Sequence, residues 1–183
     1  MRVFVGILLP EALWDAVAAL QAELGCGRPV PEEALHLTLV YLGEVDLPDL
    51  ERLHEALSAL SFAPFEVTPA GLDVIASGER GRVLALKLRP SPELEALQAK
   101  LAQAVRRAGL ELERRRFRPH VTIARFNAGL GETQAARLGH LLQSRGDVVL
   151  PLWRVGGFAL IRSHLTREGA EYEVLADYPE PLM

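Results

Sequence analysis

Apolar residues along this chain follow two spacings, one typical of strands and one typical of helices. Short apolar runs that end at proline, glycine or polar residues predict strands, and the first of them covers residues 2–9 and ends at Pro10. Leucine or valine recurring every three or four residues predicts helices with one buried face. Four such helices are expected, beginning near residues 11, 48, 92 and 132.

The other predicted strands lie between these helices and after the last of them. They cover two segments that share a motif, together with residues 65–76, 82–89 and 170–178. The apolar segment 148–162 is broken by Gly156-Gly157, which predicts either two strands or one strongly bent strand. Short strands mixed with four helices favour an α+β class with antiparallel sheets. No segment is long and polar enough to act as a linker, so we expect residues 1–183 to form a single domain.

Two of the predicted strands carry a histidine and a threonine two positions apart. The first reads Leu35-His36-Leu37-Thr38-Leu39-Val40, and the second, 84 residues later, reads Pro119-His120-Val121-Thr122-Ile123-Ala124. Successive side chains of a strand point to opposite faces, so each histidine shares a face with its threonine, away from the apolar residues. One copy alone would be compatible with ordinary strand residues, but two copies favour a reactive surface.

The motif belongs to a longer internal repeat. Residues 3–10 align with residues 83–90 at an offset of 80, and residues 71–77 align with residues 157–163 at an offset of 86. Three landmarks thus recur in one order, which indicates an internally duplicated chain with lobes at roughly 1–80 and 81–183. We expect a bilobal fold in which two antiparallel sheets line a central cleft, with helices on the outside and both motifs in the cleft.

Composition limits the functional classes. The chain has 183 residues, 49% of them hydrophobic, and a formal net charge of −4, so no global positive field attracts nucleic acid. It has no apolar run of about eighteen residues and no charged-then-apolar leader, which predicts a soluble cytoplasmic protein without membrane contact. Cys26 is the only cysteine, which excludes an internal disulfide and a cysteine-rich metal site. We expect a monomer.

Basic residues are concentrated locally. A run directly precedes the second motif and consists of Arg114, Arg115, Arg116 and Arg118. It is compatible both with contact to a polyanion and with a solvated strand edge. A second candidate for phosphate contact is the loop through residues 78–82, which carries Arg80 and Arg82 but matches no phosphate-loop pattern. The helical histidines His54 and His140 are expected to be solvated.

The paired motifs suit proton transfer. Two imidazoles across a cleft can act as proton acceptor and proton donor at once, and threonine hydroxyls can donate hydrogen bonds to an anionic oxygen between them. This set of groups fits in-line displacement at phosphorus and requires no metal or other cofactor. The chain has neither a His-Glu-x-x-His metal motif nor a Gly-x-Ser-x-Gly nucleophile motif.

The chain resembles the two-histidine phosphoesterase superfamily in the segments "RVFVGILLP", "HLTLVYLGEV" and "RFRPHVTIARF", followed by "GFALIRSHL" and "YEVLADYP". Within that superfamily it is similar to the bacterial and archaeal RNA 2',3'-cyclic phosphodiesterases, historically called 2'-5' RNA ligases. The resemblance implies metal-free hydrolysis of an RNA end that carries a 2',3'-cyclic phosphate, giving a 2'-phosphomonoester. Reversible 2'-5' ligation would use the same groups.

The resemblance also implies roles for individual residues. His36 would donate a proton to the leaving 3'-oxygen, and His120 would be the base that activates water. Thr38 and Thr122 would bind the phosphate. The pseudo-symmetric cleft by itself does not distinguish the donor histidine from the acceptor.

Arg125 matches a basic position of the family and would contact substrate. Strict alternation places it on the face opposite His120, so this role requires a bulge or a strand end. By the same alternation Phe126 would share the face of His120, where it would either stack on a base or pack in the core.

Two other functions stay open on the sequence. One is an RNA-end binding module without turnover, although binding alone would be served as well by arginine as by paired histidines. The other is a phosphodiesterase for a small cyclic nucleotide or a sugar cyclic phosphate. The local arginines favour RNA over the second alternative.

Overall fold

The structure, a computed structural model, describes residues 1–77, 81–113, 116–126, 130–165 and 170–179. These ranges contain four α-helices, namely α1 (Trp14–Leu24), α2 (Leu47–Ser58), α3 (Pro92–Arg107) and α4 (Glu132–Arg145). They also contain ten strands: β1 (Arg2–Leu8), β2 (Arg28–Pro29), β3 (His36–Glu44), β4 (Phe65–Val67), β5 (Pro69–Ser77), β6 (Gly81–Leu88), β7 (His120–Phe126), β8 (Trp153–Val155), β9 (Phe158–Leu165) and β10 (Ala170–Tyr178). Short 3-10 turns precede α1 and β3 at Glu11–Leu13 and Glu32–Ala34.

Local sequence explains where the helices begin and end. The Asp46 carboxylate accepts a hydrogen bond from the Asp49 backbone at 2.9 Å, which caps α2. The Ser91 hydroxyl accepts one from the Leu94 backbone at 3.2 Å, which caps α3. Helix α1 ends at Gly25, whose φ of 58° is the left-handed conformation that glycine adopts without strain. The four helices predicted from residue spacing are confirmed.

The strands form one large antiparallel sheet and one small one. The large sheet has the order β10-β9-β1-β3-β7-β6-β5, with β2 paired to β7, and the small sheet consists of β4 and β8. The α+β class and the antiparallel pairing are confirmed. The two antiparallel sheets expected to line a cleft, one from each lobe, are joined into one sheet. The joining strands are the motif strands β3 and β7, which pair at Leu37 and Val121.

The strand order is pseudo-symmetric about the junction of β3 and β7. Strands β3, β1 and β9 on one side correspond to β7, β6 and β5 on the other. The duplication in the sequence is therefore visible in the fold. The third strand of each repeat is exchanged, since β9 pairs with β1 and β5 pairs with β6. Each side of the sheet consequently contains strands from both halves of the chain.

Strand pairing corrects one alignment of the repeat. Leu8 pairs with His36 and Lys87 pairs with His120, so the first strands of the two repeats correspond at an offset of 79 residues instead of 80. The difference matters because a shift of one residue moves a side chain to the other face of a strand. Lys87, and not Leu88, is the counterpart of Leu8.

One face of the sheet packs against the helices, and the other is open at the motifs. The buried strand residues of the packed face include Val3, Val5, Ile7, Leu37, Leu84, Leu86 and Val121. The helices contribute to the same cluster with Val17, Leu20, Leu24, Leu53, Leu57, Leu94, Leu97, Leu101, Val105, Leu138 and Leu141. Burial of this face holds the strands in register, so the motif histidines and threonines point to the opposite face.

The two helical histidines differ from each other. His140 is exposed on α4, as predicted. His54 is partly buried on α2 and shares a hydrogen bond of 2.7 Å with the Tyr178 hydroxyl, so the expectation that it is solvated is wrong. The strand β10, which carries Tyr178, reaches α2 in the folded chain but is distant from it in sequence. None of the helices in the described ranges combines the length and apolar character needed to cross a bilayer.

Candidate active site

The two motifs lie side by side on the open face of the sheet. His36 and His120 are the first residues of β3 and β7. The two strands run antiparallel, with Leu37 opposite Val121. The residues on either side of this pair therefore place His36 beside Thr122 and His120 beside Thr38. All four side chains are half-buried. The structure thus brings together the four motif residues that the sequence singles out.

Both imidazoles are held in the same way. Nδ1 of His36 donates to the Ala34 carbonyl at 2.7 Å, and Nδ1 of His120 donates to the Arg118 carbonyl at 2.7 Å. A carbonyl can only accept, so Nδ1 carries the proton in both rings. Nε2 is then the nitrogen that exchanges a proton with a substrate, as a base when the ring is neutral and as an acid when it is charged.

His36 lies between two aromatic rings. The centroid of its ring is 4.6 Å from that of Phe4 and 4.9 Å from that of Tyr172, which meets it edge-on at 79°. Burial lowers the pKa of His36 to about 4, the Ala34 hydrogen bond opposes that shift, and the positive charges of Arg125 and His120 add to it. The imidazole of His36 is therefore neutral near pH 7 in the free protein.

Tyr172 makes the two halves of the site unequal. It lies on β10, next to β9 at the end of the strand order, and no strand takes the equivalent place beyond β5 in the described part of the sheet. Its hydroxyl accepts a hydrogen bond of 3.2 Å from Nη2 of Arg125, while its ring covers His36. One side chain thus contacts a residue of β3 and a residue of β7.

We expect the His36 imidazole to titrate near pH 4 in NMR spectra of the free protein. Tyr172→Ala should raise the pKa of His36 towards 6.5 because burial is the main cause of the shift, whereas Tyr172→Phe, which keeps the ring, should change it little. Unfolding exposes His36 to protonation, so acidification from pH 6.5 to 4 should reduce the free energy of unfolding. A pKa of His36 that stays near 4 in Tyr172→Ala would contradict this explanation.

A β-bulge places Arg125 at the site. In the pairing of β6 with β7, Leu84 lies opposite Ala124 and Ala85 lies opposite Thr122, so Ile123 is an extra residue. The alternation of faces restarts after this residue, which puts Arg125 on the same face as His120. The bulge that the sequence requires for Arg125 is present.

The same bulge corrects the placement of Phe126. Strict alternation predicts that Phe126 shares the face of His120, but the side chain is buried in the core. Phe126 packs against Gly27, where an added Cβ would lie 2.7 Å from the ring. Stacking of Phe126 on a base is therefore wrong, and core packing is the correct alternative.

Each motif threonine lies opposite a small residue. Thr38 pairs with Gly6 and Thr122 pairs with Ala85. A Cβ on Gly6 would come within 2.9 Å of the Leu37 carbonyl and 3.3 Å of the Phe4 ring, so the backbone there leaves no room for a side chain. The small residues keep space next to the hydroxyls, and the hydroxyls can donate to oxygens of a bound anion.

Only part of the predicted basic clusters can be placed. Arg114, Arg115 and Arg80 lie outside the described residues. Arg116 and Arg118 are exposed just before β7, and Arg82 is exposed near the start of β6. The backbone of Arg118 has a defined role, since its carbonyl holds His120.

Sequence reasoning missed Tyr172 and Phe4 as neighbours of His36. Both lie in predicted strands, but their proximity to the site depends on β1 pairing with both β3 and β9, which local patterns do not report. It also missed Tyr41, which follows an equivalent bulge in β3 and corresponds to Arg125 at the motif offset of 84 residues. In the described ranges, no three His, Cys, Asp or Glu residues come close enough to hold a metal ion together.

Comparison with known proteins connects this geometry to a family. Residues 9–167 match the 2'-5' RNA ligase superfamily. The chain is 32% identical to the RNA 2',3'-cyclic phosphodiesterase of Thermus thermophilus, with 97% of this chain and 89% of that protein covered. It is 30% identical to the protein of the same name from Aeropyrum pernix, with 81% of this chain and 83% of that protein covered.

Solved structures show the same fold. The crystal structure of TT0787 from Thermus thermophilus superposes with a TM-score of 0.74 at 30% identity, covering 97% of this chain and 96% of that chain. The apo form of Escherichia coli LigT superposes with a TM-score of 0.72 at 25% identity, covering 97% and 95% of the two chains.

Proposed function

Because the chain belongs to the 2'-5' RNA ligase superfamily, and its relatives at about 30% identity are named RNA 2',3'-cyclic phosphodiesterases, we propose that it hydrolyses 2',3'-cyclic phosphate ends of RNA. The observation that carries the proposal is the pairing of β3 with β7, which sets two identically held imidazoles and two threonine hydroxyls on one open face. The product is a 2'-phosphomonoester with a free 3'-hydroxyl.

The reaction is an in-line displacement at phosphorus. One imidazole takes a proton from a water molecule while the oxygen of that water forms a bond to phosphorus. The bond between phosphorus and the 3'-oxygen breaks, and the other imidazole gives that oxygen its proton. Thr38, Thr122 and Arg125 donate hydrogen bonds to the non-bridging oxygens, whose negative charge increases in the transition state.

The roles of the two histidines have two possible assignments. The family resemblance makes His36 the proton donor and His120 the base. This assignment requires the negative charge of the bound phosphate to raise the pKa of His36, since burial, with a smaller contribution from the positive charge of Arg125, keeps the ring neutral at pH 7 in the free protein. The lowered pKa of His36 favours the exchanged assignment before substrate binds, because a neutral imidazole is ready to act as a base.

We propose that these side chains act without a metal ion. The two imidazoles supply both proton transfers, and Arg125 with the two hydroxyls supplies the charge stabilisation that a metal would otherwise provide. All of these groups belong to one chain, which supports a monomer as the active form. The lone cysteine in the sequence supports a reducing, cytoplasmic location.

The test is incubation of EDTA-treated protein with an oligoribonucleotide that ends in a 2',3'-cyclic phosphate. We expect complete conversion to an end with a 2'-phosphate, identified by mass and by 31P NMR. Conversion that requires added metal would contradict the metal-free mechanism. Binding without conversion would favour an RNA-end binding module, and conversion restricted to mononucleotides would favour a phosphodiesterase for small cyclic nucleotides.

The ligation reaction uses the same groups in the same roles, with a different nucleophile. A 5'-hydroxyl takes the place of water, and a 2'-5' phosphodiester forms as the bond to the 3'-oxygen breaks. Water is present at far higher concentration than RNA 5'-hydroxyl ends, so we propose hydrolysis as the main direction. Adding a 5'-hydroxyl oligonucleotide to the same incubation would reveal the joined product.

A further inference from the structure

The pseudo-symmetry of the sheet allows the two halves of the site to be compared position by position. Leu8 lies opposite His36, and at the equivalent position Lys87 lies opposite His120. Tyr41 follows the bulge in β3, and at the equivalent position Arg125 follows the bulge in β7. At both positions the first repeat carries an apolar or aromatic side chain where the second repeat carries a cation. The second repeat therefore supplies the cations that these positions place on the open face, and Lys87 is the one beside His120.

Lys87 has the surroundings of an anion-binding residue. It is half-buried on β6, and as the cross-strand partner of His120 it projects to the same face, next to the imidazole. With the residues that the structure describes, its ammonium group makes no hydrogen bond and no ion pair. The acidic residue on that face of β5 is Asp73, opposite Ala85, and its carboxylate accepts a hydrogen bond of 2.8 Å from the Val74 backbone. A half-buried lysine without a carboxylate partner among the described residues is suited to a ligand that carries negative charge.

The reacting phosphate already has its own set of partners. Two imidazoles, two hydroxyls and the Arg125 guanidinium surround it in the proposed mechanism. Lys87 is on the outer side of His120, two strands from β3, and its side chain is long and flexible. The anion that it can reach in an RNA substrate is the neighbouring phosphodiester, because successive phosphates repeat along the strand.

We propose that Lys87 forms a subsite for the phosphodiester adjacent to the reacting nucleotide, so that the protein selects an RNA strand over a free cyclic mononucleotide. This inference rests on the proposed function, because it names the substrate class of the same site. RNA then leaves the site across β6, on the side of His120, and the apolar side around Leu8 makes no phosphate contact.

The test compares two substrates with the same terminal nucleoside, a 2',3'-cyclic mononucleotide and a trinucleotide with a 2',3'-cyclic end. In Lys87→Met, which keeps most of the side-chain length, we expect the ratio of kcat/KM for the trinucleotide to kcat/KM for the mononucleotide to fall about tenfold. Lys100→Met is the matched control, because the chain has no other lysine and Lys100 is exposed on α3 with its ammonium donating to the Ser61 carbonyl. Its ratio should equal that of the wild type. An unchanged ratio in Lys87→Met would overturn the proposal.

A binding measurement separates this inference from the proposed function. The affinity of a fluorescent trinucleotide with a 2'-phosphate end is measured at several salt concentrations. Loss of one phosphate contact should reduce the slope of log affinity against log salt by about 0.7 in Lys87→Met, and not in Lys100→Met. If the wild type turns over neither substrate but the slope still falls, the proposed function is wrong and the subsite stands. An equal slope in Lys87→Met and the wild type contradicts the subsite whether or not turnover occurs.

Discussion

His120→Ala and His36→Ala should each slow hydrolysis of a cyclic-phosphate end by about 10²–10⁴-fold, the range that a single positioned acid or base contributes. Each substitution removes one of the two proton transfers and leaves the threonines and Arg125 in place. The measurement is kcat/KM with an oligoribonucleotide substrate, and circular dichroism verifies folding. His140→Ala is the matched control, because His140 is exposed on α4, and its rate should equal that of the wild type.

A substrate with sulfur in place of the 3'-bridging oxygen assigns the two roles. A thiolate leaves without first taking a proton, so this substrate no longer needs an acid. If His36 is the donor, His36→Ala should recover most of its lost rate with the sulfur substrate, and His120→Ala should not. Recovery in His120→Ala alone would mean that the roles are exchanged. Recovery in neither variant would contradict an acid and base pair.

Arg125→Ala should lower kcat/KM by about 10²–10³-fold, the loss seen when one donor to a developing oxyanion is removed. The guanidinium lies on the His120 face after the bulge, and its hydrogen bond to Tyr172 fixes its direction. Arg125→Lys should recover only part of the loss, because lysine keeps the charge but not the planar fork of donors.

The control for Arg125 is Arg107→Ala, which removes an exposed arginine at the end of α3. Tyr172→Phe tests the orientation of Arg125, since it removes the hydroxyl that accepts the hydrogen bond and keeps the ring against His36. We expect a smaller loss than in Arg125→Ala, mainly in kcat. A threefold loss or less in Arg125→Ala would show that the guanidinium does not contact the reacting phosphate.

The motif residues could be predicted from the sequence because their signal is local and repeated. Alternation along a short strand puts His36 with Thr38 and His120 with Thr122, and buried leucine, valine and isoleucine on the other face hold that register. The 84-residue spacing then indicated that the two pairs belong together. The α+β class could be predicted for the same reason. The spacing of apolar residues that marks a helix or a strand is contained within that one element and needs no knowledge of distant contacts.

The features that could not be predicted depend on contacts between distant segments. The extra residue Ile123 has no signature in an apolar run, yet it moves Arg125 into the site and Phe126 into the core. The exchange of β5 and β9 between repeats follows from strand pairing and not from order in the chain. Tyr172 reaches His36 only because β10 is placed beside β9, which in turn pairs with the strand that carries Phe4.

The central claim is that two equivalent histidines from a duplicated chain act as one acid and base unit on a cyclic phosphate. Single-turnover rates of the wild type, His36→Ala, His120→Ala and the double variant test it most directly, with an oligoribonucleotide that ends in a 2',3'-cyclic phosphate. When two groups act as one unit, replacing either of them removes most of their joint contribution to the rate. The rate of the double variant should therefore be within about tenfold of the rate of the slower single variant. Losses that multiply in the double variant would mean that the two histidines contribute independently, and would contradict the claim.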